Sequence, residues 1–357
     1  MTRMNPKLRI LLDIGHPAHV HLFRNAMRIW QERGHSLAIT IRDKDITAQL
    51  LDLYGFSYTV ASVARKGTFQ LAYEMLEHDW NVLKVARKHK SQVLIGTSVA
   101  VAHVAPLIGA KSMVFAEDDA SVAPTFVRLT YPFAHAIVTP TCLNEDHGAK
   151  HITYEGYQKL AYLHPNYFTP DPGILSKLGV APREPYFILR FVSLNAAHDW
   201  GEAGLSMQTR IKLTQKLSAH GRVFITSETP LPAELEPYRI RILPTDIHDA
   251  LYYATMFIGD SQSMTVEAAI LGVPAIRVNT FADRCSVLQE IEHKYGLCYS
   301  FFPAQEAELF EKIDELICSE NLKEQWHEKR ALLLAQKIDV TAWMVDLVEK
   351  FTTGQTV

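Results

Sequence analysis

The sequence lacks the short motifs by which several large enzyme classes are recognised. It has no GxGxxG fingerprint and no glycine-rich GK[ST] loop, which argues against a nicotinamide Rossmann site and against a P-loop ATPase. Its four cysteines show no CxxC spacing, so neither a zinc site nor a disulfide framework is indicated. The sixteen histidines include no HExxH pair, and we predict neither a metal ion nor a cofactor.

The chain also has little net charge and no long apolar run. No stretch reaches the ~18 apolar residues that a membrane span needs, and residues 1–9 are too short and polar for a signal peptide. The net charge of −3, without a basic block, gives no reason to expect nucleic acid. We predict a cytoplasmic protein without a membrane span, while peripheral membrane contact and a homodimer stay open.

At 357 residues, with 48% hydrophobic and 21% charged residues, the composition is that of a soluble globular protein with two domains. Three prolines within residues 165–172 cannot continue a helix or a central strand, and they indicate a linker. The predicted division is a first domain at 1–163, a linker at 164–176, a second domain at 177–338 and a C-terminal helix at 339–357. That helix is expected to cross back to the first domain.

Both domains alternate apolar runs with segments of helical spacing. The runs predict strands at residues 8–14, 36–41, 58–60, 92–95, 112–115, 135–139, 186–192, 222–226, 239–243 and 256–258. Strands separated by helices imply parallel, doubly wound sheets, so the fold class is α/β with two Rossmann-like domains. Ligands of such sheets bind outside the carboxyl ends of the strands, and we expect the two sets of strand-end loops to face a cleft.

Residues 256–279 are the most informative stretch for function. An apolar run ends at Gly259, small and apolar residues with helical spacing continue to Gly272, and a second apolar run follows, which predicts strand, loop, helix, turn and strand. A helix that starts directly after a parallel strand presents free N–H groups and the positive end of its dipole, where anions bind. We therefore predict a phosphate site at Ser261, Gln262 and Ser263.

Glu267 lies one turn into this predicted helix. If Ser263 is the N-cap, a capping-box glutamate belongs at Val266, so capping does not explain Glu267. A carboxylate in this place can accept hydrogen bonds from ribose hydroxyls, which would indicate a nucleotide rather than bare phosphate. The alternative is a solvated residue that the helix dipole favours.

Two clusters of ionisable residues follow predicted strands of the first domain. His16, His19 and His21 come after the first strand, and one of them could act as a general base towards a sugar hydroxyl. The alternative is that these histidines cap a helix or bond backbone carbonyls. Residues 117–119 are three adjacent carboxylates, and such crowding would raise at least one pKa and suit a proton shuttle, unless they form a solvated turn.

Over essentially its whole length the chain resembles the GT-B superfamily of nucleotide-sugar enzymes, and within it an uncharacterised family of unknown function. The resemblance rests on Asp-Ile-Gly-His-Pro-Ala-His-Val-His at 13–21, Arg-Asp-Lys-Asp at 42–45, Arg190-Phe191-Val192-Ser193, and Gly-Asp-Ser-Gln-Ser-Met-Thr-Val-Glu-Ala at 259–268. The last segment is similar to the Asp-Ser-Gly-Gly…Glu-Ala stretch of non-hydrolysing UDP-N-acetylglucosamine 2-epimerases. It is also similar to the equivalent segment of glycosyltransferases related to the peptidoglycan enzyme. In those relatives the loop holds the diphosphate and the glutamate holds the ribose, which implies these roles for residues 261–263 and Glu267.

The sequence departs from the epimerases at other positions. Their His-Arg-Arg-Glu-Asn loop is absent, and Gly96-Thr97-Ser98 matches their Gly-Asp-Thr loop without its aspartate. Glu117 lies where the epimerases keep a catalytic glutamate. The Gly-His-Pro-x-His loop that begins at Gly15 is closer to the first loop of glycosyltransferases, where it faces the acceptor and the transferred sugar.

The resemblance thus implies a metal-independent glycosyltransferase that uses a nucleotide-diphosphate sugar, UDP-linked, with a glycan or lipid-linked acceptor in cell-surface polysaccharide biosynthesis. His16, His19 or the Glu117/Asp118 pair would activate the acceptor hydroxyl, and Arg190 would help to stabilise the leaving diphosphate. The implied nucleotide-sugar site consists of Gly15, Arg190, Ser193, Ser261, Gln262, Ser263, Met264 and Glu267. Two rival functions stay open, a UDP-N-acetylhexosamine 2-epimerase and a non-catalytic nucleotide-sugar binding protein.

Overall fold

The computed structural model describes residues 6–65, 67–192, 204–228, 230–280 and 283–355, and its strands and helices alternate along the chain. The strands are β1 (Arg9–Ile14), β2 (Ser36–Asp43), β3 (Thr59–Val63), β4 (Val93–Gly96), β5 (Lys111–Phe115), β6 (Ala136–Pro140), β7 (His151–Tyr154), β8 (Tyr186–Phe191), β9 (Arg222–Ser227), β10 (Met256–Gly259), β11 (Ala275–Val278) and β12 (Cys298–Phe301). The helices are α1 (Pro17–Glu32), α2 (Thr47–Leu53), α3 (Thr68–His89), α4 (Val99–Leu107), α5 (Pro124–Thr130), α6 (Leu160–Leu163), α7 (Gly173–Leu178), α8 (Met207–Ser218), α9 (Ile247–Tyr253), α10 (Gln262–Leu271), α11 (Ser286–His293), α12 (Glu306–Ile317), α13 (Leu322–Gln336) and α14 (Val340–Thr353).

The chain divides into two units, each with its own sheet. The first unit contains Met1–Tyr167 and Ile338–Val357, and the second contains Phe168–Lys337. The division falls within the segment predicted as a linker, which also contains the first residues of α7. Among the described helices, none combines the length and the apolar character that crossing a bilayer requires.

The sheet of the first unit has the strand order β3-β2-β1-β4-β5-β6-β7, and its pairs are parallel. β1 buries five consecutive residues after Arg9, as expected for a parallel strand that is covered on both faces. From β1 the chain proceeds to β2 and β3 on one side and to β4 on the other. The strand order therefore reverses between β1 and β4, which is where open α/β sheets bind ligands.

The sheet of the second unit is also parallel, in the order β12-β11-β10-β8-β9. Here the order reverses between β8 and β10, so the loops after these two strands flank the expected ligand position. At the end of β10 a Cβ on Gly259 would lie 2.5 Å from the carbonyl oxygen of Arg190. Only glycine allows this close approach of the two strands.

Helix α14 belongs to the first unit, where it packs against α1 and α6. The buried carboxylate of Glu349 accepts a hydrogen bond from Arg33 at 2.9 Å and lies 3.1 Å from Nε2 of His35. The hydroxyl of Thr341 donates to the carbonyl oxygen of Ala161 at 2.6 Å. These contacts tie α14 to the end of α1, to the turn before β2 and to α6.

Most predicted strands are present, with two kinds of difference. The prediction of a strand at residues 239–243 is wrong, because only an isolated bridge joins Arg239 to Ile225 there. Short 3-10 turns that contain prolines, Glu236–Tyr238 and Pro244–Asp246, flank this segment, and its pairing with β9 does not extend beyond the bridge. Conversely, β7 (His-Ile-Thr-Tyr) and β12 (Cys-Tyr-Ser-Phe) escaped prediction because neither is a continuous apolar run.

Candidate functional site

The amino end of α10 lies beside the switch point of the second unit and is arranged to receive an anion. Ser261 is the N-cap, and its hydroxyl accepts a hydrogen bond from the Met264 N–H at 3.4 Å. Thr265 donates its N–H to the Ser261 carbonyl, so the N–H groups of Gln262 and Ser263 precede the hydrogen-bonded part of the helix. Such N–H groups and the helix dipole together attract negative charge.

Glu267 is buried one turn further along α10, with 6% of its surface exposed. Its Oε1 lies 3.3 Å from Nε2 of His248, a buried residue of α9. Glu267 is therefore not a solvated helix residue, which was the alternative interpretation of its position. Because Ser261 rather than Ser263 caps the helix, the capping-box position is Met264, and Glu267 still has no capping role. Sequence reasoning missed His248, since nothing in the sequence links a histidine on another helix to this carboxylate.

Two arginines flank the loop that leads into α10. Gly259, the last residue of β10, pairs with Arg190 of β8 on one side and with Arg277 of β11 on the other. Arg190 donates to the hydroxyl of Thr226 at 2.8 Å and to the carboxylate of Glu228 at 2.5 Å. Arg277 is fully buried and was missed from the sequence, although its place in an apolar strand is the signal that could have revealed it.

Asp260 is the buried carboxylate of this loop. Its Oδ1 accepts the Val192 N–H at 2.7 Å, and its Oδ2 accepts from Arg210 at 3.2 Å. Burial raises the pKa of Asp260 to about 6, against the opposing effects of the Val192 N–H and of Arg210. Asp260 thus anchors the loop to β8 and α8. Ser193, predicted as part of the nucleotide site, lies outside the described residues.

In the first unit the loop after β1 gives its two candidate histidines different surroundings. His16 is the N-cap of α1, and its Nδ1 accepts the Ala18 N–H at 3.2 Å, which is the capping role weighed as an alternative. The hydroxyl of Thr97, after β4, lies 2.5 Å from Nδ1 of His19 and 2.9 Å from its Nε2. Burial of the ring, with positive charge from His16 and Lys159 nearby, lowers the pKa of His19 well below its usual value. His19 is therefore a neutral imidazole at pH 7.

The predicted acidic cluster after β5 is dispersed. Glu117 is almost buried, forms an ion pair with Lys159, and accepts the backbone N–H of Gln158. Asp118 is exposed to solvent. The nearest strong charge at Glu117 is thus a cation rather than another carboxylate, which counts against a proton shuttle shared between neighbouring acids. Lys159 also went unrecognised in the sequence.

A buried ion pair supports both loops of the first unit. Asp13, the penultimate residue of β1, lies 2.9 Å from Nε2 of His78 of α3, accepts the Thr40 hydroxyl at 2.6 Å, and also accepts the Ser98 hydroxyl. The other ring nitrogen of His78 is 2.7 Å from the Ser62 hydroxyl. Burial opposes ionisation of both partners, but their mutual attraction prevails, so the pKa of Asp13 is lowered and that of His78 is raised.

The loop between β1 and α1 has room at Gly15. A Cβ built on Gly15, between Asp13 and His16, would meet no atom within 4 Å. Within the part of the chain that the structure describes, no group of three or more His, Cys, Asp or Glu side chains is placed to hold a metal ion. The first unit can thus present a neutral imidazole and a hydroxyl, and the second can present the amino end of a helix.

Comparisons with known proteins agree with this architecture. A family model described as "Protein of unknown function (DUF354)" matches residues 8–290. An uncharacterized protein of Methanocaldococcus jannaschii is 26% identical over 286 residues, which make up 75% of this chain and 81% of the relative. Its description assigns it no activity.

Solved structures of an epimerase and of a glycosyltransferase share the fold. The UDP-GlcNAc 2-epimerase from Neisseria meningitidis bound to UDP-GlcNAc matches with a TM-score of 0.64 and 12% identity over 96% of this chain and 100% of that one. The calicheamicin glycosyltransferase CalG4 matches with a TM-score of 0.60 and 15% identity, over 98% and 99%. At such identities the matches show the fold alone, and they confirm the predicted α/β, GT-B-like fold class.

Proposed function

Because this chain belongs to the DUF354 family of unknown function, its activity has to be argued from its own residues, and we propose a glycosyltransferase that uses a nucleotide-diphosphate sugar. A UDP-linked sugar and a glycan or lipid-linked acceptor fit this proposal best. The observation that carries it is the buried carboxylate of Glu267, one turn beyond the amino end of α10. Bare phosphate would need the helix end alone, whereas a nucleotide also needs an acceptor for its ribose hydroxyls.

The diphosphate is proposed to lie at the amino end of α10. The N–H groups of Gln262 and Ser263 would bind its oxygens, with the hydroxyl of Ser263 alongside. Arg190 and Arg277, on the strands either side of Gly259, add positive charge as the sugar–phosphate bond breaks and negative charge moves onto the diphosphate. These groups would perform the work that a bound metal ion performs in other transferases, so we propose a metal-independent reaction.

His19 is the proposed general base. Its ring is neutral at pH 7 and can accept the proton of an acceptor hydroxyl, and the Thr97 hydroxyl holds the ring in place. His16, by contrast, uses Nδ1 to cap α1, and Glu117 is engaged by Lys159. In the proposed step the acceptor oxygen bonds to the anomeric carbon, its proton passes to His19, and the nucleoside diphosphate leaves.

The second candidate, a UDP-N-acetylhexosamine 2-epimerase, is favoured by the fold shared with the epimerase of Neisseria meningitidis. In that reaction Glu117 would move a proton, for which it would have to give up its ion pair with Lys159. The aspartate of the corresponding epimerase loop is also missing, since Thr97 follows Gly96 directly.

Incubation with UDP-N-acetylglucosamine and related sugar nucleotides, with and without a panel of glycan acceptors, separates these functions. We expect release of UDP only with an acceptor, and a loss of kcat of about 100-fold or more in His19→Asn, because a general base contributes on that scale. His16→Asn, which keeps a capping acceptor in the same loop, is the matched control and should remain active. Formation of the manno epimer without acceptor would reject the transferase. Nucleotide-sugar binding without turnover on any acceptor would favour the binding protein.

A further inference from the structure

Helix α3 of the first unit exposes a stripe of apolar side chains to solvent. Phe69, Tyr73, Leu76 and Trp80 expose 94%, 60%, 65% and 56% of their surface. Their spacing of four, three and four residues places them on one side of the helix. A globular helix normally turns such a stripe to the core, and four large exposed side chains on one face mark an interaction surface.

The same side of α3 becomes basic towards its carboxyl end. Phe69 and Arg87 are 18 residues apart (87 − 69), which is five turns, so Arg87 continues the line of the stripe. Lys84, Lys88 and Lys90 are also exposed there. We refer to residues 69, 73, 76, 80, 84, 87, 88 and 90 as the α3 face.

The acidic residues of α3 are each paired with a residue outside this face. Glu74 is buried and bonded to Arg42. Glu77 lies 2.8 Å from Arg65. Asp79 lies 2.8 Å from the ring of His103. The described residues of the α3 face therefore combine apolar surface with positive charge only.

A groove with a volume of about 830 Å³ adjoins the basic end of the α3 face. Arg87 and Lys90 line it together with Arg9, Lys111 and the exposed Leu107, and its described lining includes no acidic side chain. Positive charge thus extends from the end of α3 across the amino edge of the sheet.

We propose that the α3 face binds the surface of a membrane that contains anionic phospholipids. An amphipathic helix lies in the membrane interface with its aromatic and aliphatic residues between the headgroups and its lysines and arginines on lipid phosphates. Tyr73 and Trp80 have the apolar body and polar edge that suit this depth. A second copy that docks through the same face fits less well, since it would bring the same cations and no acid to neutralise them. This inference is independent of the proposed reaction.

Co-sedimentation of the full-length protein with vesicles tests the proposal. We expect binding to vesicles of phosphatidylcholine with phosphatidylglycerol, and much weaker binding to phosphatidylcholine alone. Leu76→Ser with Trp80→Ser should lower the partition coefficient about tenfold or more, because both apolar side chains leave the interface. Lys84→Gln with Lys88→Gln should lower it roughly 25-fold on the anionic vesicles, since each basic residue near such a surface contributes about fivefold.

Leu332→Ser, at a half-exposed leucine of α13 in the other unit, is the matched control and should bind as the wild type does. A thermal melt of each variant verifies that it is folded. The proposal is overturned if the wild type stays in the supernatant, if it binds neutral and anionic vesicles equally, or if the α3 variants bind like the control. It is also overturned if light scattering shows a wild-type dimer that the α3 substitutions abolish, because the occupant would then be a second copy.

Discussion

Replacing Ser263 with aspartate is expected to weaken the binding of a UDP-sugar roughly 100-fold or more and to leave the protein folded. The new carboxylate would stand at the second position of α10, where the diphosphate is proposed to lie. Two unit charges ~4 Å apart repel by about 4 kcal/mol at an effective dielectric constant of ~20. Since about 1.4 kcal/mol is a factor of ten in affinity, a large loss follows even after screening.

The same change should not harm folding, because a carboxylate in the first turn interacts favourably with the helix dipole. Isothermal titration calorimetry with the UDP-sugar and a thermal melt measure the two effects separately. Gln208→Asp is the matched control, since Gln208 occupies the second position of α8, whose N-cap is also a serine. The control should bind as the wild type does. Equal affinities of Ser263→Asp and Gln208→Asp would show that no phosphate rests on α10.

Asp13→Ala is expected to destabilise the first unit by about 3–5 kcal/mol, because removing one partner leaves a buried charge uncompensated. The substitution removes the counter-ion of His78 and the acceptor of the hydrogen bonds that the hydroxyls of Thr40 and Ser98 donate. Denaturant unfolding followed by circular dichroism measures the loss. Asp346→Asn, in the exposed pair with Arg33, is the control and should have little effect.

The loss of stability caused by Asp13→Ala should depend on pH. The lowered pKa of Asp13 gives stability that is present above about pH 4 and is lost as the pH falls through the folded pKa. The raised pKa of His78 gives stability that is complete below about pH 6.5 and is lost as the pH rises through the folded pKa. The difference between wild type and variant should therefore be larger at pH 5.5 than at pH 8.5. A difference that does not change with pH would show that the pair is not ionised.

Local sequence patterns were sufficient for the parts of the fold that depend on neighbouring residues. The change from an apolar run to small residues at Gly259 marks the start of α10, and this turn of the chain follows from short-range sterics and hydrogen bonding. The same kind of reasoning failed at residues 239–243, where the apolar period is present but no strand partner continues the ladder.

The surroundings of the candidate residues depend on contacts that no local pattern records. His248 reaches Glu267 from another helix, and Lys159 reaches Glu117 from 42 residues away. The switch points could be identified only once the strand order was known, because β1 and β4 become neighbours through pairing rather than through sequence. Whether a histidine caps a helix or stays a neutral base depends on its burial and on its hydrogen-bond partners. Both depend on which strands and helices become neighbours in the fold.

The most direct measurement is a calorimetric comparison of UDP with 2′,3′-dideoxy-UDP on the wild type and on Glu267→Ala. If the diphosphate lies on α10 with its ribose at the buried carboxylate, the wild type binds UDP at least tenfold more tightly than the dideoxy analogue, and Glu267→Ala binds both equally weakly. Tight binding of both nucleotides by the wild type, or a preference for UDP that survives in Glu267→Ala, would contradict the ribose role of Glu267 and with it the nucleotide site.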